Sequence, residues 1–155
     1  MHKQTIPMKE LAELIRLQLE NGGKAHLNVT GSSMLPTLRA QRDSVLLTVP
    51  AQRQKKGDII LYLRENGQYV LHRIIEVEAD GYICCGDNQL VREQVKHSQV
   101  LAVVSGMRRN GKVYQAQSCA YRTYAAVCTG LFPMRKFYLP LRRRLGRLKK
   151  RLLRS

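Results

Sequence analysis

Short segments of alternating apolar residues, separated by turn sequences, fill the chain from residue 25 to residue 117. The segment YVLHRIIEV at residues 69–77 is typical of them. It is joined to the preceding apolar segment by Asn66-Gly67, a dipeptide that favours tight hairpin turns, and Asn110-Gly111 marks the tip of a later hairpin. Segments as short as these cannot form long helices. The sequence therefore predicts a mainly β module of short strands and tight turns.

Helical patterns flank the β module on both sides. Residues 7–21 carry apolar side chains at three- and four-residue spacing and end at Gly22-Gly23, which predicts an amphipathic helix. Its apolar face is Met8, Leu11, Ile15 and Leu19, with Leu14 beside them. After the β module, residues 118–155 predict a basic helical region. We therefore divide the chain into a domain at 1–117, which includes the first helix, and a C-terminal helical extension at 118–155.

The positive charge is concentrated in the last two fifths of the chain. The net charge is +16, yet residues 1–93 carry 12 Lys/Arg against 11 Asp/Glu. Residues 94–155 carry 15 Lys/Arg and no acidic residue. This asymmetry predicts a balanced body followed by a basic arm that meets an anionic partner, either a membrane or a nucleic acid.

The end of the arm favours a membrane surface. Apolar side chains recur there at helical spacing, and seven Arg/Lys between residues 142 and 151 occupy the rest of the surface. The apolar stripe is Leu141, Leu145, Leu148 and Leu152. Each basic residue near an anionic bilayer contributes about 1 kcal/mol to binding. We expect residues 135–155 to lie on such a surface.

Two other partners of the arm stay open. The leucines could pack on the domain or on a protein partner instead of a bilayer. Nucleic acid is the less favoured partner, because no aromatic residue follows Tyr138 and the end of the arm therefore lacks the aromatic side chains on which bases stack. The sequence does not indicate an oligomeric state.

Cysteine spacing and hydropathy indicate the cellular compartment in which the protein is expected. The four cysteines form no CxxC pair and no Cys/His cluster with zinc spacing, so the sequence predicts free thiols in a reducing compartment and neither metal nor cofactor. The N-terminal residues lack the apolar run of a signal peptide, and no uncharged apolar run reaches the length of a spanning helix. We expect a cytoplasmic protein that is peripheral at the membrane.

One loop and one histidine are candidates for chemistry. The loop TGSSMLPTL, residues 30–38, places two serines behind a glycine between two predicted strands. Such a turn is either a surface loop or the support of a serine nucleophile, which needs a base within hydrogen-bonding reach. His72 lies in a predicted strand between Val70 and Ile74 on an apolar face. It is either a packed core residue or a partly buried base.

Four sequence blocks resemble the signal peptidase I family of serine proteases, whose β-rich core is shared with LexA-type self-cleaving repressors. They are GSSMLPTL, KKGDIILY, YVLHRIIEV and GDNQ, in that order, within residues 25–106. The resemblance implies a LexA/signal-peptidase-like fold with Ser33 as the nucleophile. It also implies that His72, the residue before Arg73, is the general base. A lysine stands at that position in bacterial signal peptidases, whereas the endoplasmic-reticulum and archaeal enzymes have histidine.

The resemblance extends to supporting residues. Asp87 falls in the Gly-Asp-Asn block and is expected to orient the imidazole of His72 as the third member of a triad; the alternative is a turn aspartate that binds its own backbone. Many bacterial signal peptidases read Ser-Gly-Ser-Met, whereas this chain has Gly31 at the first serine position. The expected oxyanion donors are therefore the backbone N–H of Ser33 and the hydroxyl of Ser32.

The sequence thus predicts a serine endopeptidase of signal-peptidase type acting on a peptide or protein substrate, such as a signal peptide, a leader peptide or one dedicated protein. Two alternatives stay open. One is a LexA-type regulatory protein that cleaves itself. The other is a non-enzymatic nucleic-acid-binding protein with a basic arm.

Overall fold

The structure is a computed structural model that describes residues 8–50, 53–141 and 144. It contains eight strands: β1 Ala25–Asn28, β2 Ser44–Thr48, β3 Ile59–Leu63, β4 Tyr69–Val77, β5 Gly81–Cys85, β6 Glu93–Lys96, β7 Val100–Arg109 and β8 Lys112–Gln115. The helical elements are α1 Met8–Glu20, α2 Cys119–Gly130, two 3-10 turns at His97–Gln99 and Phe132–Met134, and helical residues at 135–141.

The strands form one antiparallel sheet. Seven of them are ordered β1-β2-β7-β3-β4-β5-β6, and β8 pairs with β7. The long strands β4 and β7 lie near the centre of this sheet. The predicted mainly β fold class is confirmed.

Both Asn-Gly turns close hairpins. Between β3 and β4 the amide of Arg64 donates to the carbonyl of Gln68 at 2.8 Å, and Gly67 has a φ of 81°. Between β7 and β8, Asn110 and Gly111 have φ values of 47° and 80°. Asparagine and glycine tolerate these left-handed conformations, and the first turn fixes the register of β3 and β4, the strands that carry Tyr62 and His72.

The sheet separates two clusters of buried apolar side chains. The larger one includes Leu47, Leu61 and Ala102 and is covered by both helices. The smaller one includes Ile60, Tyr62 and Ile74. His72 pairs with Ile60 and is buried like the smaller cluster, while Leu71, one residue earlier in β4, packs against the larger one.

Both helices pack on the sheet through buried apolar side chains. Ile15 and Leu19 of α1 are buried in the larger cluster, as their spacing predicts, whereas Leu14 is exposed. Tyr121 and Ala125 of α2 enter the same cluster. The beginning of the predicted C-terminal extension therefore shares its core with the predicted domain. None of the described helices has the length and apolar character that crossing a bilayer requires.

Candidate active site

The serine loop, residues 30–38 between β1 and β2, is held by its own apolar residues. Met34 and Leu38 are buried in the larger cluster, and Leu38 donates its amide to the carbonyl of Met34 at 2.9 Å. Gly31 has a φ of 76°, which reverses the chain just before the serines. Anchoring at the back of the loop leaves Ser33 half-buried and Ser32 exposed.

A second loop clamps the serine loop from the other side of the site. This Gly86 loop, residues 86–89, connects β5 to β6. The backbone amide of Asn88 donates to the carbonyl of Ser33 at 2.8 Å, and the side-chain amide of Asn88 donates to the carbonyl of Ser32 at 3.2 Å. Two hydrogen bonds from one residue therefore fix the backbone of both candidate serines.

Gly86 lies where the serine loop meets the imidazole of His72. A methyl group on its Cα would lie 2.7 Å from the carbonyl oxygen of Ser33 and 3.1 Å from Nε2 of His72. Only a residue without a side chain allows this approach. The structure thus places the Ser33 carbonyl and the imidazole of His72 around the same glycine, although their sequence positions are far apart. No direct hydrogen bond joins the Ser33 hydroxyl to Nε2 in the described residues, and such bonds are often long before substrate binds.

The other nitrogen of His72 faces a polar cluster that the sequence analysis did not identify. Nδ1 lies 3.3 Å from Oε1 of Glu93 and 3.2 Å from the hydroxyl of Tyr62. Tyr62 donates to Oε2 of Glu93 at 2.9 Å, and Arg64 donates to both carboxylate oxygens at 2.6 Å. The carboxylate of Glu93 is therefore fixed by three hydrogen bonds while it faces the imidazole.

This cluster determines the tautomer of His72. The ionised carboxylate of Glu93 can only accept hydrogen bonds, and the hydroxyl proton of Tyr62 is already donated to Glu93. Both neighbours of Nδ1 are thus acceptors, so the proton of the neutral ring lies on Nδ1. The lone pair of Nε2 then points toward Gly86 and the serine loop, as a general base requires.

Burial and charge set the protonation states in the site. Burial lowers the pKa of His72, the carboxylate of Glu93 opposes this, and the pKa stays below its ordinary value of 6.5. Burial raises the pKa of Glu93, but the hydrogen bonds from Arg64 and Tyr62 outweigh it, so the pKa falls below its ordinary range. At neutral pH the pair is a neutral imidazole beside an ionised carboxylate.

Asp87 lies in a different cluster from the imidazole that it was predicted to orient. It is buried, and Arg73 donates to its two carboxylate oxygens at 2.9 and 2.8 Å. Thr37 also donates to Asp87, and Arg135 approaches it at 3.4 Å. Burial raises the pKa of Asp87, but the charge and hydrogen bonds of Arg73 outweigh this and lower it. The geometry therefore gives the position at Nδ1 to Glu93 and gives Asp87 a structural ion pair, which corrects the sequence-based interpretation.

Arg135 connects the Gly86 loop to the C-terminal helical residues. Its guanidinium is 2% exposed and donates to the carbonyl of Gly86 at 2.9 Å and to the carbonyl of Cys128 at 3.1 Å. The sequence shows Arg135 as one of many basic residues in the arm, and nothing in its spacing distinguishes it. The structure shows that the guanidinium of Arg135 helps to hold the Gly86 loop at the candidate site.

The described residues contain no group of three or more His, Cys, Asp or Glu side chains that could hold a metal ion. All four cysteines are free thiols. Burial raises the pKa of Cys85, which precedes the Gly86 loop, to about 11, so this thiol is protonated at neutral pH. The groups available for chemistry are thus the serines, His72 and its carboxylate partner.

Comparisons of the chain with protein-family models, with curated proteins and with solved structures found no match. The functional interpretation therefore depends on the geometry of the site and on the sequence blocks that carry the resemblance.

Proposed function

We propose that the chain is a serine endopeptidase of signal-peptidase type, with Ser33 as nucleophile and His72 as general base. The observation that carries the proposal is the position of Gly86, where a methyl group on the Cα would meet both the Ser33 carbonyl and Nε2 of His72. The Nδ1–H tautomer set by Glu93 supports it, because it leaves Nε2 free to accept a proton. The confirmed mainly β fold is compatible with a LexA/signal-peptidase-like core, which is part of this proposal.

The reaction would follow the usual steps of acyl transfer. The Ser33 hydroxyl attacks the substrate carbonyl carbon and passes its proton to Nε2 of His72. The oxyanion that forms accepts a hydrogen bond from the backbone N–H of Ser33, with the exposed Ser32 hydroxyl as a second donor. The imidazolium then protonates the leaving amine, which breaks the peptide bond and leaves an acyl-enzyme. Water, deprotonated by His72, hydrolyses this ester and restores Ser33.

Glu93 would take the role of the third residue in this mechanism. Its carboxylate accepts the Nδ1 proton and stabilises the imidazolium while Nε2 carries the proton from Ser33. Because Arg64 and Tyr62 hold the carboxylate, it needs no rearrangement when the charge on His72 appears. The substrate class that we propose is a signal peptide, a leader peptide or one dedicated protein.

Protein N-termini in cells provide the test of this function. Cells expressing the chain are compared, by mass spectrometry of N-terminal peptides, with cells expressing Ser33→Ala or His72→Ala. New termini that appear only with the unmodified chain would support the protease and give its cleavage preference. Ser98→Ala and His26→Ala are matched controls, because both residues are exposed and lie outside the serine loop, the Gly86 loop and the polar cluster at Nδ1.

The same experiment separates the alternatives. New termini with His72→Ala at the level of the unmodified chain would contradict the assignment of the base. Termini that arise only within the chain itself, at a rate independent of its concentration, would indicate LexA-type self-cleavage. Identical termini with and without Ser33 would contradict the protease.

A further inference from the structure

Six exposed apolar side chains form a strip along the C-terminal helical region. Their exposed fractions lie between 40% and 64%, which is high for apolar residues in an ordered segment. The docking strip is Val127, Leu131, Met134, Phe137, Tyr138 and Leu141. Apart from Phe137, its members are spaced by four, three, four and three residues in the sequence, through the end of α2, the following 3-10 turn and the helical residues at 135–141.

The opposite side of the same region is anchored to the domain. Ala125 lies in the core and Leu139 is buried. Arg135 donates to the Gly86 carbonyl and faces Asp87. Because these residues fix the region against the body of the protein, the docking strip is held outward.

The charge around the docking strip has one sign. No acidic residue follows Glu93, and Lys136 lies within the strip. The sequence directly after Leu141 adds eight Arg/Lys between residues 142 and 154. Exposed aliphatic and aromatic side chains bordered by cations match the interface of an anionic bilayer, where apolar groups enter the acyl chains and cations meet the headgroups. Aliphatic side chains such as Val127 and Leu131 contribute little on a nucleic acid, whose affinity comes from phosphate charge and base stacking.

We propose that the docking strip seats this protein on the surface of an anionic lipid bilayer. The strip enters the headgroup region, the following basic residues bind the acidic lipids, and Arg135 holds the Gly86 loop and the Ser33–His72 site close to that surface. This surface is wider than the one predicted from the arm alone, because it begins inside α2 at Val127. The inference does not require that Ser33 be catalytic.

Vesicle binding tests the proposal on the full chain carrying Ser33→Ala, so that activity plays no part. The protein is sedimented with vesicles of phosphatidylcholine alone and with vesicles that also contain phosphatidylserine. We expect strong partitioning to the anionic vesicles only. Leu131→Ser with Phe137→Ser should lower that partitioning by about tenfold or more, because two inserting side chains are lost. Leu14→Ser with Val113→Ser is the matched control, since it removes two equally exposed apolar side chains elsewhere and should leave partitioning unchanged.

Other results would overturn the proposal in distinguishable ways. Equal partitioning of the Leu131/Phe137 double variant and the parent would mean that charge alone attracts the chain to lipid. Absence of binding to both vesicles would exclude the bilayer. If tight, salt-dependent binding to single-stranded RNA or DNA then appeared, the partner would be nucleic acid. If the parent instead self-associated and the double variant did not, a second copy would cover the strip. Thermal unfolding of each variant confirms that it is folded.

Discussion

At the scale of single residues, the chemistry of the site depends on which group faces each nitrogen of His72. The polypeptide places a carboxylate and a phenol at Nδ1 and a glycine at Nε2. Burial lowers the pKa of the ring and Glu93 opposes this, whereas Gly86 leaves the space at Nε2 open. These two roles can be separated by substitution.

Glu93→Gln should slow catalysis and shift its pH dependence. The amide cannot stabilise the imidazolium and can donate to Nδ1, which favours the wrong tautomer, so we expect kcat to fall on the order of 10²- to 10⁴-fold. Because the carboxylate of Glu93 raises the pKa of His72, its loss should lower that pKa further and move the acidic limb of kcat/KM to lower pH. The measurement is the pH profile of peptide cleavage.

Glu76→Gln is the matched control for this variant. Glu76 also pairs with an arginine, Arg92, but both side chains are more than half exposed and lie away from the imidazole. We expect its pH profile to match that of the parent. An unchanged acidic limb in Glu93→Gln would show that Glu93 does not act on His72.

Gly86→Ala should abolish cleavage while the fold is retained. The added methyl group would meet the Ser33 carbonyl and Nε2 of His72 at distances that require one of them to move. Displacements of this size at a reacting centre lower rates by about 10²-fold or more. Gly130→Ala, where the methyl group would meet no atom within 4 Å, is the control. Activity near the parent level in Gly86→Ala would contradict the placement of the site.

At the scale of elements, the site is assembled by loops that other elements hold. The Gly86 loop receives hydrogen bonds from Arg135 and gives one to Ser33 from Asn88. The ion pair between Asp87 and Arg73, with Arg135 beside it, fixes the same loop to β4 and to the C-terminal region. Asp87 thus fixes the position of the loop, and burial and Glu93 have larger effects on the pKa of His72 than the charge of Asp87, which raises it.

Asp87→Asn should lower the free energy of unfolding by about 3–5 kcal/mol, because it leaves Arg73 and Arg135 buried without a counter-charge. The pKa of Asp87 is lowered in the folded state, so its contribution is present above the ordinary value of 3.8 and is lost as the pH falls through the folded value. The free energy of unfolding of the Asp87→Asn variant should therefore lack the contribution that the parent loses at low pH. Urea unfolding at several pH values measures both effects.

Asp80→Asn provides the comparison, since Asp80 is exposed in the turn before β5. It should change the free energy of unfolding by no more than about 0.5 kcal/mol. If Asp87→Asn were equally harmless but slowed cleavage strongly, Asp87 would have a role in catalysis after all.

The elements that the sequence predicted well are those marked by a pattern within a few neighbouring residues. Alternation predicted the strand that begins at Ala25, and the Asn-Gly pairs predicted both hairpin turns. The short strand β6, Glu93–Lys96, was missed because Val95 is its single buried residue. Its pairing with β5, with Cys84 opposite Glu93, is what carries Glu93 toward His72. Glu93 therefore could not be identified as the partner of the His72 imidazole without knowledge of the order of the strands in the sheet.

The sequence alone could have argued against Asp87 as the partner of His72. His72 and Arg73 are neighbours in a strand, so their side chains must project to opposite faces. An aspartate that pairs with Arg73 is then unsuited to hold Nδ1 of His72. Tyr62 could also have been identified, because the hairpin register places it on the same face as His72, beside the Ile60 that pairs with it.

At the scale of the whole molecule, the C-terminal region belongs to the folded core as well as to the surface. The hydroxyl of Tyr121 accepts a hydrogen bond from the fully buried Arg73 at 3.0 Å. Arg135 is also buried. The body of the protein is therefore completed by residues that follow the β module.

A chain ending after residue 117 should fail to unfold cooperatively. It would lose the core side chains Tyr121 and Ala125 and would expose Arg73 and Asp87 to water. A chain ending after residue 144 keeps the described part of the C-terminal region and should unfold in one transition. Calorimetry of the two chains measures the difference. A cooperative transition in the shorter chain would mean that the β module folds independently.

If both proposals hold, the buried guanidinium of Arg135 would couple lipid binding to peptide binding, because it contacts the Gly86 loop from within the segment that carries the docking strip. If lipid binding steadies this arginine and thereby strengthens peptide binding, a bound peptide must strengthen lipid binding by the same factor, because coupling free energies are reciprocal. The protein would then stay on the bilayer longest while a substrate occupies it and leave most readily after the product has gone.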